Sequence, residues 1–115
     1  MMPSPSFVLS AERSWDLMAP GVRRQVLGHL DDLMLVRVDF EVGAIGAIHQ
    51  HPHRQVSYVV SGRFEVTVGT AVTQLKAGDS FAAGAEVPHG VRALEPGTLI
   101  DTFTPARADF LATVG

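Results

Sequence analysis

The sequence predicts an all-β single domain, a sandwich or barrel of antiparallel strands, and three observations predict it. From Val36 to Val42, Val36, Val38, Phe40 and Val42 alternate with Arg37, Asp39 and Glu41, the period-two pattern of a strand with one face in a core and one in water. Short runs of strand character recur about every eight to ten residues, separated by turn signals such as Asp31-Asp32, Ser61-Gly62, Gly69-Thr70 and Glu95-Pro96-Gly97. No convincing amphipathic helix lies between them, which argues against βαβ and helical-bundle architectures.

Composition sets the outer bounds. A chain of 115 residues forms one domain with one core and a large exposed surface, so a homodimer is expected. Apolar residues make up 46% and charged residues 18%, which fits a compact β protein and not a disordered one. The formal charge of −3 offers no electrostatic attraction to nucleic acid. With no cysteine there is neither a disulfide framework nor thiolate zinc, so any metal must be held by nitrogen and oxygen. The opening MMPSPSFVLSAERSW has no basic start and no long apolar run; neither a signal peptide nor a membrane span is expected, and the cytoplasm is the default compartment.

Taken in order, residues 1–6 are rich in Pro and Ser and read as a loose arm, with Phe7 to Leu9 a first edge strand. Trp15 to Pro20 leads into a turn at Gly21. Arg23 to Leu30 is a strand, the Asp31-Asp32 turn follows, and Leu33 to Val42 is the alternating strand. After the histidine-rich stretch, Gln55 to Ser61 turns at Gly62 into Phe64, Val66 and Val68. Ala71 to Leu75 and the short, small-residue Ser80 to Ala83 follow, joined by Ala77-Gly78-Asp79. His89 to Leu94 and Thr98 to Phe103 close the strand set. The tail, 104–115, holds one helical turn, around Arg107 to Leu111. Trp15 and Tyr58 read as core or dimer packing, and His29, alone before a hairpin, as a surface residue.

The chain is organised around Gly43 to Gly62, GAIGAIHQHPHRQVSYVVSG, which holds three of the five histidines. Side chains two apart on a strand leave the same face, so His49 and His51 can point two imidazoles into one space, with Gln55 at the same parity if the strand continues. Pro52 interrupts the pairing, leaving the directions of His53 and Gln55 open. Burying several imidazoles is costly unless each finds a partner, and a divalent cation binds them together in the neutral form.

These residues resemble the first motif of the cupin superfamily: Gly43, His49, His51, Gln55 and Gly62 fit its spacing, with Gln55 where the family usually has glutamate. Gly78 to Ala93, GDSFAAGAEVPHGVRA, is similar to the second motif in its first glycine and in His89; Gly84, Glu86 and Ala93 stand where that motif has proline, glycine and asparagine. The resemblance implies an antiparallel jelly-roll barrel of six to eight strands, of the small single-domain RmlC-like kind. It also implies one divalent metal ion (zinc, nickel, iron or manganese) held by His49, His51, Gln55 and His89. Because three imidazoles and an amide are neutral, the ion would keep its full charge and favour an anionic ligand. The run Asp101-Thr102-Phe103 with Arg107 is similar to the pocket of small cupins of pectin and alginate breakdown that ketonise unsaturated monouronates. That likeness implies Asp101 and Arg107 as catalytic residues, and Phe103 and Arg107 as substrate contacts. The bland alternative is a structural pair of Arg107 with Asp109 or Asp101. Arg54 and Arg92 are candidate further cations. The function expected is an isomerase or tautomerase acting on a small acidic substrate; the alternatives are an iron-dependent dioxygenase, a polyketide cyclase and a non-catalytic ligand-binding cupin.

Overall fold

The structure, a computed structural model, describes residues 2–111; residue 1 and residues 112–115, the end of the tail, lie outside the described residues. It is an antiparallel all-β jelly roll of two sheets. One has six strands in the order β1-β2-β3-β10-β5-β8, the other four in the order β4-β9-β6-β7. The strands are β1 (Asp16–Ala19), β2 (Val22–His29), β3 (Met34–Phe40), β4 (Ile45–His49), β5 (Arg54–Ser61), β6 (Arg63–Val68), β7 (Ala71–Lys76), β8 (Ser80–Ala83), β9 (His89–Ala93) and β10 (Gly97–Thr104). One short helix follows, α1 (Ala108–Leu111), within the predicted helical turn.

Among the described residues there are ten strands, where six to eight were expected. β1, β4 and β8 are short strands at sheet edges, each paired with a single neighbour. The expected edge strand at Phe7 to Leu9 is absent; Phe7 and Leu9 are exposed, and a 3-10 turn follows at Ser10–Glu12. The Gln25 amide of β2 donates to the Ser10 and Arg13 carbonyls at 2.7 and 3.2 Å, so a side chain rather than a ladder holds this segment. That cover buries both faces of β2 between Arg24 and Val26.

The predicted alternation in β3 holds for Val36, Val38 and Phe40, which are buried with Met34, but the strand ends at Phe40 and Val42, expected to face inward, is exposed. The buried side chains of β3 pack with Val59 and Leu99 of their own sheet and with Phe64 and Val66 of the other. Phe40 meets Phe64 edge-on at 5.2 Å between ring centroids, a geometry favoured by the ring quadrupoles. Tyr58 is not in the core: with Val56 and Val60 it leaves the outer side of β5, half exposed. Trp15 is partly buried beneath the Arg23 guanidinium, 3.9 Å from its ring centroid. His29 is partly buried as well, its backbone N–H donating to Ser4 Oγ at 3.0 Å. No described helix is long and apolar enough to cross a membrane.

Candidate metal centre and its pocket

The histidine stretch is not one strand. β4 ends at His49, residues 50–53 form a bend, and β5 begins in the other sheet, so strand parity does not carry from His49 to Gln55. Pro52 cannot donate to a ladder, and the chain breaks there. What seats His51 is the β8–β9 connection: Glu86 N–H donates to the His51 carbonyl at 2.7 Å, and the Gln50 amide reaches Glu86 Oε2 at 3.3 Å. Glu86 has φ of 61°, the left-handed conformation that glycine adopts without strain. His49 and His89 then meet as register partners of β4 and β9.

The three rings converge, with centroids 4.6 Å apart for His49 and His89, 4.8 Å for His51 and His89, and 5.4 Å for His49 and His51. One nitrogen from each lies within 4.8 Å of the others. His53 stands outside this group of nitrogens; its ring is 5.5 Å from that of His51, and its buried Nδ1 has no hydrogen-bond partner.

Each converging ring is oriented by a backbone carbonyl. Nδ1 of His49, His51 and His89 lies 2.8, 2.9 and 2.9 Å from the oxygens of Ala47, His53 and Val87. A carbonyl only accepts, so Nδ1 carries the hydrogen and the neutral ring presents a lone pair at Nε2. Gln55 Oε1, also an acceptor, sits 3.1 Å from His51 Nε2 and 3.0 Å from His89 Nε2. Burial, with the charges of His49, His51 and Arg107, lowers the pKa of His89 against the raising effect of the Val87 carbonyl, which disfavours a doubly protonated ring. A cluster of lone pairs without a donor is the donor set that a borderline divalent cation takes.

Behind Gln55 runs a short polar chain into the pocket. Gln55 Nε2 donates to Ser57 Oγ at 2.9 Å, and Ser57 Oγ donates to Asp101 Oδ1 at 2.6 Å. Asp101 faces Ser57 directly in the β5–β10 register. Burial pushes its carboxyl up to about 6, against the lowering effects of the Ser57 hydroxyl and of His49 and Arg107.

Arg107 is buried and forms the structural pair with Asp109 that was the alternative reading, through Nε at 3.0 Å and Nη2 at 2.8 Å. Its guanidinium lies 4.1 Å from the Phe110 ring centroid and 5.2 Å from that of Phe103. His49, Gln55, His89, Asp101, Phe103 and Arg107 all line one cavity of about 510 Å³ between the sheets. Arg54 and Arg92 are exposed, the latter 3.5 Å from Glu65, and neither lines it. The second guanidinium there is that of Arg24, buried 3.6 Å over the Phe110 ring and 3.5 Å from Asp16. The sequence reading missed Arg24, Ser57 and Phe110. Arg24 had a signal, a charge at the inward parity of β2 between Val22 and Val26.

Comparison with known proteins agrees with the fold. The model of the cupin domain family matches residues 36–103. The pectin degradation protein KdgF of Dickeya dadantii is 44% identical over 107 residues, covering 91% of this chain and 97% of that protein. The crystal structure of an RmlC-like cupin from Shewanella frigidimarina superposes with a TM-score of 0.91 at 44% identity, covering 96% of this chain and 99% of that one. The structure of KdgF from a Halomonas species superposes with a TM-score of 0.87 at 42% identity, covering 93% and 99%.

Proposed function

The chain belongs to the cupin domain family, and from that premise we propose that it is a metal-dependent isomerase that ketonises a small unsaturated uronate. The observation that carries this reading is the shared cavity: His49, Gln55 and His89 of the N₃O donor set, a carboxyl with a pKa of about 6 and a buried guanidinium face one space, with His51 beside it in the same cluster. The kinship to proteins named for pectin degradation supports a uronate as the substrate class.

His49, His51, His89 and the Gln55 carbonyl oxygen would hold a divalent ion. When bound, it supplies Lewis-acid stabilisation of negative charge on a substrate oxygen. Arg107, its guanidinium aligned by Asp109, orients the substrate carboxylate. Phe103 and Phe110, in edge-on contact at 5.5 Å, exclude water from the reacting atoms. Asp101 takes the proton from the enol hydroxyl, and a proton is delivered to the adjacent carbon, so C=C–OH becomes HC–C=O with no oxidant, reductant or co-reactant. A carboxyl with a pKa of about 6 can both accept and return that proton near neutral pH.

Unsaturated monouronates offered to the metal-loaded protein should lose their alkene absorbance with one solvent proton incorporated at carbon. Asp101→Asn should keep its metal and lose roughly 100-fold or more in kcat. His49→Ala combined with His89→Ala should lose both metal and turnover. A metal-loaded protein inert toward all such acids would remove the reading.

A further inference from the structure

We propose that Ser57 is the positioning residue that fixes which end of the Gln55 amide faces the three imidazoles, and so sets how tightly the centre binds a metal. This rests on the reading of Gln55 as a ligand. Glutamate, which the family usually carries here, has two equivalent oxygens and presents one whichever way it turns. Glutamine does not.

With its oxygen forward, Gln55 sets an acceptor against the Nε2 lone pairs of His51 and His89, at 3.1 and 3.0 Å. With its NH₂ group forward it would donate to those same lone pairs and fill the place of the cation. In the metal-free protein the second sense is the better hydrogen-bonded one locally, so the first must be held from behind.

Ser57 is fully buried and holds it. Its hydroxyl has one hydrogen, given to Asp101 Oδ1 at 2.6 Å, and its oxygen can then only accept, which it does from Gln55 Nε2 at 2.9 Å. Turning the amide would place Gln55 Oε1 against an oxygen whose hydrogen is already committed. Asp101 thus orders Ser57, and Ser57 orders Gln55. Neither Ser57 nor Asp101 contributes an atom to the donor set.

The test is a cobalt(II) titration of four proteins, the wild type, Ser57→Ala, Gln55→Glu and the double variant, read by affinity and by the visible absorption of the bound ion. Ser57→Ala should weaken cobalt binding by roughly 10- to 100-fold and alter the spectrum. In the Gln55→Glu background, where no amide sense exists, the same change should cost less than about 3-fold. A merely structural serine would cost the same factor in both backgrounds, and that result, or a wild-type affinity and spectrum in Ser57→Ala, overturns the proposal. Gln55→Ala separates the two readings. If it binds cobalt like the wild type, Gln55 is no ligand; if it loses cobalt while Ser57→Ala does not, only the positioning role falls. Should Ser57→Ala fail to fold, nitrogen NMR of the metal-free wild type decides: the proposal requires no coupling across a hydrogen bond between Gln55 Nε2–H and the imidazole Nε2 atoms. Observing that coupling overturns it.

Discussion

At the scale of single residues, the site is defined by which hydrogen sits where. Three backbone carbonyls hold three Nδ1–H groups, and this leaves three Nε2 lone pairs pointing inward. Asp101 is the complementary case, a carboxyl pushed up to about 6 by burial. A raised carboxyl pKa means the folded chain binds a proton more tightly than the unfolded one. This group therefore opposes folding above about 6, and the opposition fades as pH falls through 6 toward the unfolded value. A carboxyl-carbon NMR titration of the metal-free protein should show a step near 6, moved to lower pH when a divalent ion is added, because positive charge favours the carboxylate. A step near the ordinary aspartate value in the metal-free protein would contradict the burial argument. His49, His51 and His89 were legible in the sequence because histidine within a strand pattern is conspicuous. Ser57 was not, since a buried serine is told apart from a surface one only by what lies opposite it.

At the scale of elements, the turns matter more than the strands they join. The β5–β6 and β9–β10 turns are stacked: at Gly62, with φ of 82°, an added Cβ would lie 2.5 Å from the Pro96 carbonyl oxygen and 2.7 Å from Gly97 Cα. Gly69 has a similar φ of 60° but nothing within 4 Å of such an atom. Gly69→Ala should therefore cost only the left-handed strain, about 1 kcal/mol, and Gly62→Ala about 3 kcal/mol, strain plus overpacking. Denaturant titration of the two variants checks the order, and equal costs would show that the turns do not bear on each other. Both glycines were legible as turns; their difference was not, because it depends on contact between segments about thirty residues apart. The Glu86 turn teaches the same lesson. Its φ of 61° is left-handed, although the residue there is not glycine.

At the scale of the whole molecule, the candidate ligands come from both sheets and the bend between them: His49 and His89 from the four-stranded sheet, Gln55 from the six-stranded one, His51 from residues 50–53. An ion bound by all four ties the two layers together and stabilises only the folded chain. At a free metal concentration near 100 times its Kd the gain is about 2.7 kcal/mol, which for a domain of this size raises Tm by on the order of 10 °C. Calorimetry with zinc and then with a chelator measures this. A Tm indifferent to both, in protein shown to bind the ion, would mean that the unfolded chain holds the ion as tightly as the folded one.

The sequence by itself determined the class of fold, most of the strands, the inward face of β3 from Val36 to Phe40, and the residue types able to bind a metal, since these follow from period-two burial and from the chemistry of imidazole. Tertiary structure alone decided that His51 acts from a bend, that Arg24 rather than Arg54 or Arg92 joins Arg107 in the cavity, and that Ser57 links Gln55 to Asp101. Those relations are set by a loop-to-loop hydrogen bond at His51, by the packing of Arg24 over Phe110, and by register between β5 and β10. Local pattern carries no information about contacts made across that much chain.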